Sequence, residues 1–143
     1  MPAHAIGPLR PPQRVAQGDN TFTYYAKDAV GNESTPADVH LYYDSVRPVP
    51  KASADKSVKR LTTVKLPYRV NDASSPKAKV VIRICKGSTR KATLGVGTKS
   101  TNVALTYSFK CKLAKGKYSW KVYATDLAGN TQAKPGVRTL TVK

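Results

Sequence analysis

The chain has few acidic residues and almost no histidine. It contains eight Asp and Glu and two His against 25 Lys and Arg. His4 and His40 stand far apart, with no nucleophile signature such as G-x-S-x-G. Paired carboxylates for glycoside hydrolysis and a glycine loop for phosphates are missing as well. We therefore predict a protein that is not an enzyme and uses no cofactor.

Cysteines and long apolar runs are also scarce. Cys85 and Cys111 are 26 residues apart, without a C-x-x-C pair or a His cluster, which argues against zinc. No apolar run approaches the ~20 residues that span a bilayer, so we expect no membrane insertion. The first 20 residues lack the apolar core of a signal peptide. The repeat described below nevertheless suggests a piece of a longer exported protein.

Positive charge is abundant and unevenly distributed. Residues 1–48 hold four Lys/Arg and five Asp/Glu, whereas residues 49–143 hold 21 Lys/Arg and three Asp. The corresponding formal charges are −1 and +18. A shift this sharp predicts a domain boundary near residue 48. It also predicts that the second part attracts polyanions.

Three segments follow from the local patterns. Residues 1–16 are rich in proline and aperiodic, so we predict disorder. Residues 17–48 hold two strand patterns, 21–28 and 38–44, and a proline-containing linker. Residues 49–143 alternate apolar and polar residues in about seven short segments without a helical period, which predicts two antiparallel sheets packed as a β-sandwich. Pro67 predicts an edge strand or a bulge.

The chain also repeats itself. "YAKDAVGN" begins at Tyr25, and "YATDLAGN" begins 98 residues later, at Tyr123. At the same offset Phe22 corresponds to Trp120. Residues 17–48 are therefore interpreted as the last two strands and linker of a partial domain, and residues 49–143 as the complete copy.

The repeated stretch is similar to a known family motif. "YSWKVYATDLAGN" resembles the Y-x-V-x-A-x-D-x-A-G-N pattern of bacterial Ig-like repeats in secreted and cell-surface proteins, "YYDSVRPVP" resembles their linker, and "LPYRVND" resembles their second strand. The resemblance implies an all-β, Ig-like sandwich preceded by a hairpin fragment of a second Ig-like domain. It implies an extracellular or cell-surface spacer or adhesive module. Its partners would be neighbouring Ig-like domains of the same parent chain.

The repeated turn motif is the first candidate site. It comprises Asp28, Gly31 and Asn32, and again Asp126, Gly129 and Asn130. One interpretation is a calcium site at Asp126 and Asn130, since carboxylate and amide oxygens suit a hard cation. The other is turn chemistry, in which Asp and Asn bind nearby backbone N–H groups and Gly takes a positive φ. The shortage of acidic residues favours the turn.

The cysteines form the second candidate. In an exported sandwich, Cys85 and Cys111 would end alternate strands at the same end, which favours a disulfide. Cys85 has the opposite parity to Ile82 and Ile84, so a bulge or the end of the strand must turn it inward. The alternative is two unpaired thiols.

Basic residues form the third candidate. They would contact an anionic cell-wall polymer or polysaccharide, and no nucleic-acid-binding module is visible. The alternative is a solubilising surface with protective lysines on edge strands. The candidate residues are Lys79, Arg83, Lys110, Lys112, Lys115 and Lys117.

Aromatic residues provide a second hypothesis for the function, a carbohydrate-binding accessory module of a secreted hydrolase. That function requires exposed aromatic rings in a flat patch. Trp120 shares the apolar face of its strand and is expected in the core, whereas Tyr123 is expected outside. Tyr118 resembles the tyrosine-corner position of Ig-like domains, where the partial copy has Asn20.

Overall fold

The computed structural model describes residues 15–143. Residues 1–14, most of the segment predicted to be disordered, lie outside the described part. The described residues form two compact units, and the boundary in the sequence lies between Asp44 and Ser45. All regular secondary structure in residues 15–143 is β, as the alternating sequence patterns predicted.

The first unit is a β-hairpin. Strand β1 (Gly18–Tyr24) pairs antiparallel with β2 (Ala37–Tyr43), with Gly18 opposite Tyr43 and Tyr24 opposite Ala37. All seven residues of β2 are exposed. The predicted hairpin is therefore present, and its apolar residues are not buried as a core would require.

The second unit is a sandwich of two sheets. A five-stranded sheet has the order β4-β10-β9-β6-β7, and a three-stranded sheet has the order β3-β5-β8. Neighbouring strands are antiparallel except β4 and β10, which are parallel. The strands are β3 (Val49–Ala52), β4 (Lys56–Val58), β5 (Thr63–Asn71), β6 (Lys77–Lys86), β7 (Thr89–Ser100), β8 (Ala104–Lys110), β9 (Gly116–Asp126) and β10 (Gly136–Val142).

This architecture confirms the predicted all-β, Ig-like β-sandwich, with eight strands. The strand that the sequence patterns did not indicate is β4. It has three residues, too few for an alternation to be recognised.

Alternate residues of both sheets form one core. On β9 the inward residues Tyr118, Trp120, Val122 and Ala124 are buried, and the residues between them are partly exposed. Trp120 is fully buried and is the largest side chain in the core, as predicted. Fully buried residues of β5, β6 and β10 pack in the same cluster: Leu66, Tyr68, Val70, Val80, Ile82, Ile84 and Leu140.

The prediction of an edge strand or a bulge at Pro67 was wrong. Strand β5 is the central strand of the three-stranded sheet. The Pro67 carbonyl accepts a hydrogen bond from the Ser53 N–H at 2.9 Å, just beyond the end of β3. Because the N–H and C=O of a strand residue point to the same side, the missing donor of Pro67 faces the point where β3 ends. Proline is therefore tolerated there without interrupting the pairing with β8.

Candidate functional site

The outer face of the five-stranded sheet carries a row of cationic residues. Side chains alternate across a strand, so the residues between the buried positions of β6 and β9 point away from the core. Strand pairing places Arg83 directly opposite Lys121 and Val81 opposite Tyr123. The outward cations on these two strands are Lys77, Lys79, Arg83, Lys117 and Lys121.

Arg83 is held against an aromatic ring on this face. Its guanidinium carbon lies 4.5 Å from the centroid of the Tyr123 ring, a geometry typical of a cation–π contact. The two residues are diagonal neighbours across the strand pair, within reach of long side chains. The Nε atom of Arg83 is buried and has no hydrogen-bond partner. The contact with Tyr123 therefore orients the guanidinium group of Arg83.

The charge of this face is not neutralised by acidic side chains. All three carboxylates in residues 45–143 accept hydrogen bonds in turns or at strand ends. Asp55 accepts from the Thr139 N–H at 2.8 Å, and Asp72 accepts from the backbone of Ser74 and Ser75. Asp126 accepts from Asn130. An ion pair does occur in the hairpin, where Lys27 and Glu33 are 3.3 Å apart on the exposed surface.

The three-stranded sheet also has a basic outer face. Lys51 on β3 lies directly opposite Arg69 on β5, and the Arg69 Nε donates to Asn71 at 2.6 Å. Both residues are exposed. The sandwich thus has one like-charge cross-strand pair on each outer face, and only the pair on the five-stranded sheet adjoins a stacked arginine.

The structure divides the predicted basic cluster. Three of its members, Lys79, Arg83 and Lys117, lie on the outer face of the five-stranded sheet. Lys110 ends β8 in the other sheet, and Lys112 and Lys115 lie in the loop between β8 and β9. The contact of Arg83 with Tyr123 could not be read from the sequence, because it depends on the register of two strands 40 residues apart.

The repeated turn motif has nearly the same geometry in both copies. Asp28 accepts from the backbone N–H of Asn32 at 2.9 Å and from its side-chain amide at 2.8 Å. Asp126 accepts the equivalent bonds from Asn130, both at 2.8 Å. Gly31 and Gly129 take φ values of 96° and 90°, which favour glycine. These are the bonds that turn chemistry requires.

The calcium interpretation finds no additional support at this turn. Both carboxylate oxygens of Asp126 already accept hydrogen bonds from Asn130. A calcium ion usually takes six to eight oxygen ligands. Residues 15–143 contain no group of three or more His, Cys, Asp or Glu that could hold a metal ion.

The Asp28 turn provides a prediction on pH. Hydrogen bonds, first from the Asn32 side chain and then from its backbone N–H, hold the pKa of Asp28 below its ordinary value. The stabilisation of the turn by ionised Asp28 is therefore present above the unfolded-state pKa and lost as pH falls through the lowered folded-state pKa. An NMR titration of the Asp28 carboxyl carbon should give a midpoint below that of an Asp in a short peptide.

Two variants provide the matched comparison for this turn. Asn32→Ala removes the main donor and should raise the midpoint. Val30→Ala keeps the backbone N–H that donates to Asp28 at 3.0 Å and changes only an exposed side chain, so the midpoint should not move. A peptide-like midpoint in the unmodified chain would contradict the prediction.

The tyrosine-corner position is occupied as the resemblance implied. The Tyr118 hydroxyl donates to the carbonyl of Ala114, four residues upstream, at 2.8 Å. In the hairpin the Asn20 amide donates to the carbonyl of Ala16, also four residues upstream and at 2.8 Å. The shorter amide thus forms the same link in the partial copy.

The predicted disulfide between Cys85 and Cys111 is not found, and both cysteines are free and buried. The expected bulge is present, because the β6–β7 register shifts between Ile84 and Cys85 and both residues are buried. Cys85 belongs to the five-stranded sheet, whereas Cys111 directly follows β8 of the three-stranded sheet. A bridge requires suitable directions of both Cα–Cβ bonds, which spacing along the sequence does not determine.

The exposed tyrosines do not form one flat patch. Tyr24 and Tyr43 lie on the same face of the hairpin but at opposite ends of its paired strands, whereas Tyr42 points to the other face. Tyr25 follows the end of β1. On the sandwich, one side of the Tyr123 ring is covered by Arg83.

A shallow depression of about 450 Å³ lies beside the turn after β5. Asp72 and Asn102 both line it and are linked by two hydrogen bonds. The Asp72 N–H donates to the Asn102 side-chain oxygen at 3.0 Å, and the Asn102 side-chain amide donates to the Asp72 carbonyl at 2.6 Å. These bonds hold the turn together.

Within residues 15–143 no helix is long and apolar enough to cross a membrane.

Comparison with known proteins gives similarity to solved structures alone. No protein-family model and no curated protein matches the chain. One similar structure is the crystal structure of the CARDB domain of the PF1109 protein from Pyrococcus furiosus, in complex with di-metal ions. Its sequence is 13% identical to this chain, and the TM-score is 0.46. The match covers 81% of this chain and 97% of that domain. Murine CRIg is also 13% identical, with a TM-score of 0.42, covering 68% of this chain and 98% of its own.

Proposed function

We propose that this chain is a non-enzymatic, exported Ig-like module that acts as a spacer and adhesive domain and binds an anionic cell-wall polymer through its basic sandwich. The observation that carries the proposal is the unneutralised charge of residues 45–143. Each of their three carboxylates accepts a hydrogen bond within a turn or at a strand end, and Asp72 Oδ2 is buried without a partner, away from the cations. The cations of both outer sheet faces are therefore left to attract a polyanion.

The hairpin supports the idea of a tandem array. Strand β1 corresponds to β9 at an offset of 98, and β2 corresponds to β10 at an offset of 99. With this one-residue difference Phe22 lies opposite Val39 as Trp120 lies opposite Arg138. The two turns also share their hydrogen bonds. A repeated structural unit suits a spacer, in which each module contributes length and surface.

The alternative of a carbohydrate-binding accessory module is less well supported. Binding of neutral sugar rings requires open aromatic faces, and the exposed tyrosines are dispersed. The aromatic ring on the outer face of β9 is already stacked by Arg83.

Sedimentation with insoluble ligands tests the proposal. The full chain should sediment with purified Gram-positive-type cell wall at low salt and be released as the salt concentration rises, because exposed charges are screened within about 10 Å at 0.1 M salt. Neutral insoluble polysaccharide in parallel is the control and should bind little protein. Salt-resistant binding to that polysaccharide would replace the proposal by the carbohydrate-binding function. Binding to neither ligand would leave a spacer without an adhesive role.

A further inference from the structure

The cationic residues of the five-stranded sheet are arranged along its strands in a regular way. Lys121 and Arg83 lie side by side at the centre. Lys117 lies four residues away on β9, and Lys79 lies four residues away in the opposite direction on β6. At a rise of about 3.4 Å per residue, Lys79, the central pair and Lys117 lie about 13 Å apart and span roughly 27 Å, and Lys77 lies about 7 Å beyond Lys79.

The central pair has no evident structural purpose. Like charges directly opposite each other on neighbouring strands are destabilising, and the three carboxylates of this unit are engaged elsewhere. Arg83 is nevertheless oriented by Tyr123 at 4.5 Å. An oriented guanidinium beside an ammonium group provides a favourable site for an anion with several acceptor oxygens.

We infer that Arg83 and Lys121 form the central anion-binding position of a linear track, oriented by Tyr123 and extended by Lys79 and Lys117, for a flexible polyol-phosphate polymer. This inference rests on the proposed function and assigns its ligand class and its surface. The phosphodiester groups bind the cations, and the acyclic polyol linkers lie along the sheet between them.

The aromatic residue distinguishes this ligand from other polyanions. Single-stranded nucleic acids bind to aromatic platforms on which bases stack, and sugar rings likewise require an open aromatic face. On this sheet Arg83 occupies a face of Tyr123. Because the guanidinium leaves Tyr123 at most one side for stacking, recognition on this sheet rests on charge and spacing, which suits a phosphate polymer without rings.

The two like-charge pairs of the sandwich provide a matched experiment. The double variant R83Q/K121Q removes two positive charges from the five-stranded sheet, and K51Q/R69Q removes two from the outer face of the three-stranded sheet. Both pairs are cross-strand neighbours, so the change in net charge is identical. Binding of the full chain to poly(glycerol phosphate) is measured by calorimetric titration over a salt series, with circular dichroism as the check on folding.

We expect R83Q/K121Q to weaken binding by on the order of tenfold at low salt and to reduce the slope of log K against log salt by about 1.4, two lost contacts at roughly 0.7 each. K51Q/R69Q should change affinity by less than about twofold, since it alters only the overall field. Tyr123→Phe keeps the aromatic ring and should bind normally, whereas Tyr123→Leu releases Arg83 and should weaken binding.

The outcomes separate the inference from the proposed function. Equal losses in the two double variants would overturn the track and leave a diffuse basic surface that still holds wall polymer. Tighter binding of polygalacturonate or of single-stranded oligo(dT) than of poly(glycerol phosphate) would overturn the assigned ligand. Failure of the unmodified chain to bind any of the three polyanions would overturn the proposed adhesive function, and the inference with it.

Discussion

Trp120→Ala should lower the free energy of unfolding of the sandwich by about 3–5 kcal/mol. The indole is fully buried on β9, between the buried neighbours Tyr118 and Val122. Its removal loses the burial of a large side chain and leaves a cavity that close-packed neighbours fill only in part. Domains of this size are stable by only about 5–15 kcal/mol, so much of the stability would be lost.

Urea unfolding followed by far-UV circular dichroism measures the effect. Trp120 is the only tryptophan of the chain, so tryptophan fluorescence cannot be used to follow unfolding of the variant. Trp120→Phe is the matched control and should cost clearly less. It keeps an aromatic ring and removes an indole N–H that is buried without a hydrogen-bond partner, an unfavourable state for a polar group. Equal unfolding midpoints for Trp120→Ala and the unmodified chain would refute the assigned core.

Gly136→Ala should destabilise the sandwich by about 1–3 kcal/mol or more. Gly136 lies on β10, where the backbone of β3 crosses closely. A Cβ atom there would lie 2.6 Å from the Ala52 nitrogen and 2.7 Å from both the Lys51 Cα and the Pro50 carbonyl oxygen. These are backbone atoms, so no side-chain rotation relieves the contact, and the edge of the three-stranded sheet must move.

Gly95→Ala is the control for this substitution. Gly95 also lies in a strand of the five-stranded sheet, and a Cβ atom there would meet nothing within 4 Å. Thermal unfolding of the two variants should show a lowered midpoint for Gly136→Ala and little change or a slight rise for Gly95→Ala, since alanine restricts the unfolded chain. Similar midpoints in both variants would exclude the close approach of β3.

Much of the fold could be predicted from local patterns. Alternation in "YSWKVYATD" placed Trp120 and Val122 on the inner face, and both are fully buried. The spacing of Asp126, Gly129 and Asn130 indicated a turn, whose hydrogen bonds span only four residues. Such features depend on neighbours in the chain, and a local pattern contains all the information they need.

The candidate site was predicted only in part. Its charge was evident from composition, and three of the six predicted cations, Lys79, Arg83 and Lys117, lie on the outer face of the five-stranded sheet. Lys110 was grouped with them but belongs to the other sheet. Sheet membership depends on which strands pair over long distances, and turns between strands do not encode it.

The sequence by itself determined that this chain forms β-strands, which side of each strand is buried, and where the Asp-Gly-Asn turns lie, because the pleat alternates with period two and turn bonds are local. The tertiary structure alone decided that Pro67 lies in a central strand, that β3 crosses over Gly136, that Cys85 and Cys111 are both free, and that Arg83 stacks on Tyr123. Each of these depends on the register and packing of segments distant in sequence, which are fixed only when both sheets close on a common core.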